Sequence, residues 1–424
     1  MLILYSFALL LVLVIGSPWW LFRMATSGKY REGLTERLGI VPRRIRANLT
    51  PHPVIWIHAV SVGEVLAASR LIDELTQRLA ASPSPSRVMI STTTRTGQKL
   101  ARDRFGSDRV FYFPLDFAWA VRAWLRALRP RLFVLVETEF WPRMLVECRR
   151  AGIPVGVVNA RISDRSWPRY RRLAAIWKRL LSPISVVLAQ TQLDADRLRA
   201  LGATNVRVAG NLKYDVRAAK PAPVTERLRE SLPSATPVLI CGSTLPGEEE
   251  LLLDALPPAI VTILAPRHPE RFAEVAQLLR RRDIPWLRRS EWMQSPTLIA
   301  PGTVFLLDSI GELASVYSLA TAAFIGGSLV PAGGHNPLEP AQFAVPVAIG
   351  PHYENFRGIV KQLSEHDAIR IVSPPQLKDA LVELLSASPA SQQMGARGRE
   401  VFESESGATE RAVQTLLAVL EARA

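Results

Sequence analysis

The chain has 424 residues, 48% of them hydrophobic and 21% charged. That balance excludes an intrinsically disordered protein and leaves room for two domains, each with its own core. Lysine and arginine number 52 against 38 acidic residues, and the net charge of +14 suits polyanionic partners: nucleic acid, an anionic membrane surface or a phosphorylated substrate. Only Cys148 and Cys241 occur, far apart, which argues against a disulfide framework and a Cys/His zinc cluster and points both to core positions.

Residues 2–15 are apolar apart from Tyr5 and Ser6, and Trp19, Trp20 and Phe22 close the stretch. Residues 1–22 approach the roughly 20 needed to span a bilayer, and the tryptophans fit an interfacial belt. A signal peptide would carry a basic start and a small-residue cleavage site, and neither is present. A buried core helix competes, since Gly16-Ser17-Pro18 shortens the apolar run. The expectation is a single-pass anchor over 1–22. Arg23, Lys29, Arg31, Arg37, Arg43, Arg44 and Arg46 follow, against only Glu32 and Glu36, so the positive-inside bias places the rest of the chain in the cytoplasm.

From residue 54 onward, short apolar runs alternate with helical spacing. Strands are predicted at 54–59, 87–91, 132–136, 154–158 and 185–189. The pattern restarts at 237–241 and continues through 260–265, 304–307, 322–325 and 345–349. Such alternation means a parallel sheet with helices on both faces. The fold class is therefore α/β, with two doubly wound Rossmann-like units facing a cleft. The predicted division is an N-terminal domain over 23–215, an Ala/Pro-rich linker over 216–236, a second domain over 237–390, and a helical segment over 391–424 packing back across the domains. Ligands of such sheets sit beyond the carboxyl ends of the strands, so those ends hold the candidate chemistry.

The first strand runs into HAVSVGE at 58–64. Glu64 follows a glycine at a strand-to-helix turn; it can be a general base if an apolar setting raises its pKa, or simply an acidic residue favourable to the helix dipole. His58 reads as a core histidine. STTTRTG at 91–97 offers hydroxyls that bind a polar ligand or cap a helix. Glu137-Thr138-Glu139 ends the 132–136 strand ahead of Phe140-Trp141-Pro142. In an extended segment the two carboxylates share a face, an arrangement that needs a cation or substrate between them. Asp194-Ala195-Asp196 spells the DxD of metal-dependent sugar transferases, but at a helix start it reads as capping.

In the second half, Cys241-Gly242-Ser243-Thr244 ends a strand before an acidic helix, where a phosphate can meet a helix N-terminus. Pro266-Arg267-His268-Pro269-Glu270-Arg271 follows the next strand, and an arginine there suits bidentate phosphate contact. Asp308-Ser309-Ile310-Gly311-Glu312-Leu313 closes a third. GGSLVPAGGHNPLEP at 326–340 follows a fourth. Its glycines let backbone N–H groups approach an anion, and turn chemistry alone does not call for His335, Asn336 and Glu339.

These segments, with NARIS at 159–163 and NLKYD at 211–215, resemble the Kdo transferase family over nearly the whole chain. That family attaches 3-deoxy-D-manno-oct-2-ulosonic acid to the lipid A precursor. The resemblance implies a GT-B glycosyltransferase fold, CMP-Kdo as donor in the C-terminal half, and an inverting reaction without metal or cofactor. It implies Glu64 as base, with Glu139 or Glu137 also catalytic. It assigns Ser243, Thr244, Arg267, His268, Gly311, Glu312, Gly327, Ser328, Gly334, His335, Asn336 and Glu339 to the donor. Ser61, Gly63, Thr93, Arg95 and Arg161 fall to the acceptor. The partners it implies are CMP-Kdo, the phosphorylated lipid and an anionic inner-membrane surface on the cytoplasmic side. Two alternatives stand beside it: a GT-B transferase using a UDP-sugar, and a membrane-tethered nucleic-acid binder. The dispersed arginines and the lack of any nucleic-acid signature count against the second.

Overall fold

The computed structural model describes residues 2–27, 31–47, 49, 52–82, 85–216 and 221–422. The chain divides into two compact units, Met1–Val216 with Ser406–Ala424, and Arg217–Glu405. Each is built on a seven-stranded parallel sheet.

The first sheet comprises β1 (Val54–His58), β2 (Arg87–Thr92), β3 (Val110–Tyr112), β4 (Pro130–Val136), β5 (Val155–Ala160), β6 (Val186–Ala189) and β7 (Val206–Val208). Their order is β3-β2-β1-β4-β5-β6-β7. Every residue of β1 is buried, as expected of a strand covered on both faces. Its alternation divides the core in two. Val54 and Trp56 join Phe111, Phe133 and Leu135 on one face. Ile55 and Ile57 join Val65, Leu71, Ile90 and Val134 on the other, under the C-terminal helix residues Ala412 and Leu416.

The second sheet comprises β8 (Val238–Thr244), β9 (Val261–Pro266), β10 (Trp286–Arg288), β11 (Val304–Leu306), β12 (Ala322–Ile325), β13 (Val347–Ile349) and β14 (Arg370–Ile371), ordered β10-β11-β9-β8-β12-β13-β14. In both sheets the chain begins in the middle, winds outward, then returns to the other side of its first strand. The reversals lie between β1 and β4 and between β8 and β12, the switch points where such sheets open a crevice at their carboxyl ends.

The stretch 216–236, read as a linker, carries the helix Pro223–Ser231. Val224 and Leu228 are fully buried, and the Thr225 hydroxyl bonds that of Ser315 (2.7 Å) within the second unit. The C-terminal segment divides. Helix Pro389–Ser404 lies in the second unit and Ala408–Glu421 in the first. The latter is capped from outside by Asp215, whose carboxylate accepts the amides of Gly407 (2.6 Å) and Thr409 (2.5 Å).

The N-terminal helix runs Leu2–Ser27 with Pro18 inside it. Among the described residues no helix is long and apolar enough to cross a membrane. This sets aside the single-pass anchor expected over 1–22. Gly16, Ser17 and Pro18 interrupt the apolar run, and the Tyr5 hydroxyl donates to Asp116 in the body of the first unit (2.8 Å). Leu4, Phe7, Val12, Ile15 and Phe22 remain exposed.

Candidate active site

The switch point of the first sheet gathers the carboxylates. Glu64 is the third residue of helix Val62–Ala80, whose N-cap is Ser61. One carboxylate oxygen accepts the Val60 amide (2.7 Å) and the other accepts the Ser61 hydroxyl (3.1 Å). These are capping contacts at the helix start, added to the favourable helix-dipole placement that the sequence offered as the alternative role. Capping does not keep the group acidic. Burial, then Glu137, and more weakly Glu139, push its carboxyl up to about 7 against the pull of the Val60 and Ser61 bonds. A carboxyl there holds and releases a proton near neutral pH.

Glu137 and Glu139 come together in a way the alternation rule did not foresee. β4 ends at Val136, and Glu137 adopts φ 61°, a left-handed conformation that costs a non-glycine residue about 1–2 kcal/mol. Its amide donates to Val158 (2.8 Å), and the Thr138 hydroxyl donates to the Arg161 carbonyl (2.7 Å), so the turn is fastened to the end of β5. The two glutamates are electrostatic neighbours through this turn, not through a shared strand face, and burial with Glu137 raises the Glu139 carboxyl. A strained backbone that its surroundings enforce marks Glu137 as the better-defined partner of Glu64.

A cationic member of the cluster, beside Arg161, is Lys213, which the NLKYD motif contained but which had no assigned role. It sits on the short 3-10 turn Leu212–Asp215. Asn159, itself at φ 57°, accepts the Leu212 amide on its side-chain oxygen (3.0 Å) and positions that turn. Burial lowers the Lys213 ammonium, Glu137 and Glu64 hold it up, and Arg161 opposes them. Glu64, Glu137, Glu139, Arg161 and Lys213 thus form one cluster contributed by four strand ends. No single motif reveals it, because 64, 137, 161 and 213 meet only through the sheet order.

The remaining residues expected at the acceptor are more dispersed. Gly97 lets the β2 end approach the β1 turn: a Cβ there would lie 3.2 Å from the Ser61 carbonyl carbon. The Thr93 hydroxyl is buried without a partner among the described residues, and its carbonyl accepts from Arg37. Arg95 is exposed and pairs with Glu32 (3.3 Å), and Gly63 is exposed in the first helical turn. His58 is buried against Phe113 (ring centroids 3.8 Å apart), bonds Ser91 through Nδ1 (2.9 Å), and burial depresses it to about 3. Asp194 and Asp196 have protein partners. Asp194 accepts the Ile162 amide (2.9 Å) and Asp196 pairs with Arg199 (2.9 Å).

In the second unit the switch point joins Ser243, at φ 59°, to Gly326. A Cβ on Gly326 would stand 2.5 Å from the Ser243 carbonyl oxygen. Beyond it lie His335, Asn336 and Glu339, all half-buried, with Arg267 an electrostatic neighbour of His335 and Glu339. Burial lifts the Glu339 carboxyl to about 7 against Asn336 and Arg267. Burial, Arg267 and His268 depress His335 to about 4, and its Nε2 has no protein partner among the described residues. Tyr317 was not foreseen. A Cβ at Gly242 would meet its hydroxyl at 1.8 Å, and burial followed by Glu339 raises that hydroxyl.

Several residues expected at the donor lie beneath this surface. The Thr244 hydroxyl is buried and donates to Glu249 (2.8 Å), itself paired with Arg271 (2.6 Å). Ser328 is fully buried, with its hydroxyl on the Ile325 carbonyl. The amides of Gly327 (2.6 Å) and Ser328 (2.9 Å) both donate to the buried Glu248 carboxylate. Glu312 pairs with Arg289 (2.6 Å), and Gly311 is an exposed turn residue at φ 90°. Gly334 is at φ 72°, and a Cβ there would stand 3.0 Å from the His352 carbonyl oxygen.

A family described as 3-deoxy-D-manno-octulosonic-acid transferase (kdotransferase) matches residues 32–216. A curated 3-deoxy-D-manno-octulosonic acid transferase of Haemophilus influenzae is 35% identical over 410 residues, 93% of each chain. Its counterpart from Bordetella pertussis is 32% identical over 94% of each chain. In fold the chain is similar to MurG of Acinetobacter baumannii, with a TM-score of 0.54 and 14% identity over 87% of this chain and all of that one. With two parallel-sheet Rossmann-like units and this similarity along its length, the chain belongs to the 3-deoxy-D-manno-octulosonic acid transferases, glycosyltransferases of the GT-B fold.

Proposed function

We propose that this enzyme moves Kdo from CMP-Kdo to the 6′-hydroxyl of the lipid A precursor (lipid IVA), with inversion and with Glu64 as general base. The observation that carries the reading is the Glu64 carboxyl, lifted to about 7 by burial and by Glu137 at the switch point. An alcohol is a poor nucleophile until its proton is taken, and a base of that strength is matched to neutral pH. As the hydroxyl oxygen bonds to the anomeric carbon, its proton passes to Glu64. The bond from that carbon to the phosphate oxygen breaks, and CMP leaves with the electron pair. Lys213 and Arg161 offset the negative charge of the three glutamates and offer cations to an acidic sugar or a phosphorylated acceptor. In the second unit Arg267, His335, Asn336 and Glu339 supply the groups for the nucleotide.

The enzyme works on the cytoplasmic membrane face without spanning it. Exposed apolar residues of helix Leu2–Ser27 and the arginines of the helix Trp167–Arg172 favour an anionic lipid surface. Purified enzyme, CMP-Kdo and lipid A precursor should yield CMP and a glycosylated lipid. UDP-sugars in parallel reactions should yield nothing, and turnover of a UDP-sugar alone would replace this reading with the other transferase. The number of Kdo units added is read from the product mass.

A further inference from the structure

The glycine-rich end of β12 has the form of an anion nest, in which successive backbone N–H groups converge on one point. That point is filled from within. Glu248 opens helix Glu248–Ala255 and is fully buried. Its carboxylate accepts the amides of Gly327 (2.6 Å), Ser328 (2.9 Å), Leu329 (2.8 Å) and Leu245 (2.9 Å). On another side of Gly327 stands His335. A Cβ at Gly327 would lie 3.1 Å from the His335 Nε2, the buried nitrogen without a protein partner among the described residues. His335 in turn has Arg267 and His268 as electrostatic neighbours. An imidazole beside the Arg267 guanidinium and a filled nest therefore adjoin across one glycine.

We infer that Glu248 is a specificity determinant of the donor site, standing where a second phosphate would otherwise bind, so that the site takes a nucleoside monophosphate and disfavours a nucleoside diphosphate. The inference rests on the donor reading given above and deepens it. One phosphate is received by Arg267 and His335. A further phosphate finds the nest donors already bonded and meets a buried negative charge. The same four bonds also tie β12 to the helix start, so structure and selectivity share one residue. The selectivity has a readout that a purely structural role does not move.

The experiment compares CMP and CDP binding to the full chain by calorimetry, with chelator present. Wild type should bind CMP, and CDP about tenfold more weakly or worse. Glu248→Gln keeps a carbonyl oxygen for the nest and removes the charge. In that variant the CDP-to-CMP ratio should narrow about fivefold or more, with the thermal transition confirming the fold. Equal affinities in wild type, or an unchanged ratio in the folded variant, overturn the inference. Failure of CMP itself to bind overturns the donor reading beneath it. If Glu248→Ala also folds, it should bind CDP at least as well as CMP; a retained preference for CMP counts against the inference.

Discussion

Glu64 is held by two opposing demands. Its bonds to Val60 and Ser61 favour the carboxylate, while burial and Glu137 favour the acid. Turnover should rise with pH through about 7 as the carboxyl empties, and a pH–rate profile reads that limb directly. Glu64→Ala should lower transfer about 10²–10⁴-fold while leaving CMP binding intact, measured by turnover and calorimetry on the same preparation. Stability runs the other way. The folded value lies above that of an unfolded glutamate, so this group's contribution is present at acid pH and is lost as pH rises through about 7. Glu64→Gln should therefore raise the melting temperature near about pH 8 and leave it little changed near about pH 4. Glu137 offers a second test. Glycine there removes the left-handed strain, so Glu137→Gly should stabilise the fold by up to about 1 kcal/mol while losing activity. Denaturant titration beside the transferase assay separates the two effects.

Among the elements, the C-terminal helix Ala408–Glu421 depends on a residue nearly two hundred positions earlier. Asp215 supplies the cap that Gly407 cannot, and the Arg411 guanidinium reaches the Ala209 carbonyl (2.8 Å). Asp215→Ala should cost about 1–2 kcal/mol and loosen that helix first, seen as faster hydrogen exchange over 408–421. The strand pattern was legible wherever a strand is central. Ten strands were readable from their apolar runs. The four that were not, β3, β7, β10 and β14, are the outer edges of the two sheets. They have two or three residues each, one neighbour apiece, and in β7 and β14 an exposed arginine. Edge strands with so little to bury carry no periodicity long enough to read.

For the whole molecule, the DxD carboxylates are committed to Ile162, Thr191 and Arg199. Transfer should accordingly proceed at an unchanged rate in excess chelator, and a lost rate restored by a divalent ion would show that a metal takes part. Binding to vesicles of anionic lipid should fall as salt rises, since exposed arginines act through a screened field, and co-sedimentation measures it.

Local sequence determined the two-sheet architecture, the strand-end motifs and the position of Glu64, because each follows from periodicity and turn chemistry within a few residues. Only the tertiary structure decided which of those motifs meet. The chain's return beside β1 sets Glu137 against Glu64, and the turn after β7 adds Lys213. It also decided that a glycine-rich loop expected to bind a phosphate is partly closed by Glu248, some eighty residues upstream. The physical reason is the same in both cases. Burial and neighbouring charge depend on what the fold brings near, and the identity of a residue does not state its surroundings. For the N-terminal stretch composition suggested a bilayer span, whereas a glycine-serine-proline interruption and the Tyr5–Asp116 bond leave a helix attached to the first unit with apolar side chains exposed.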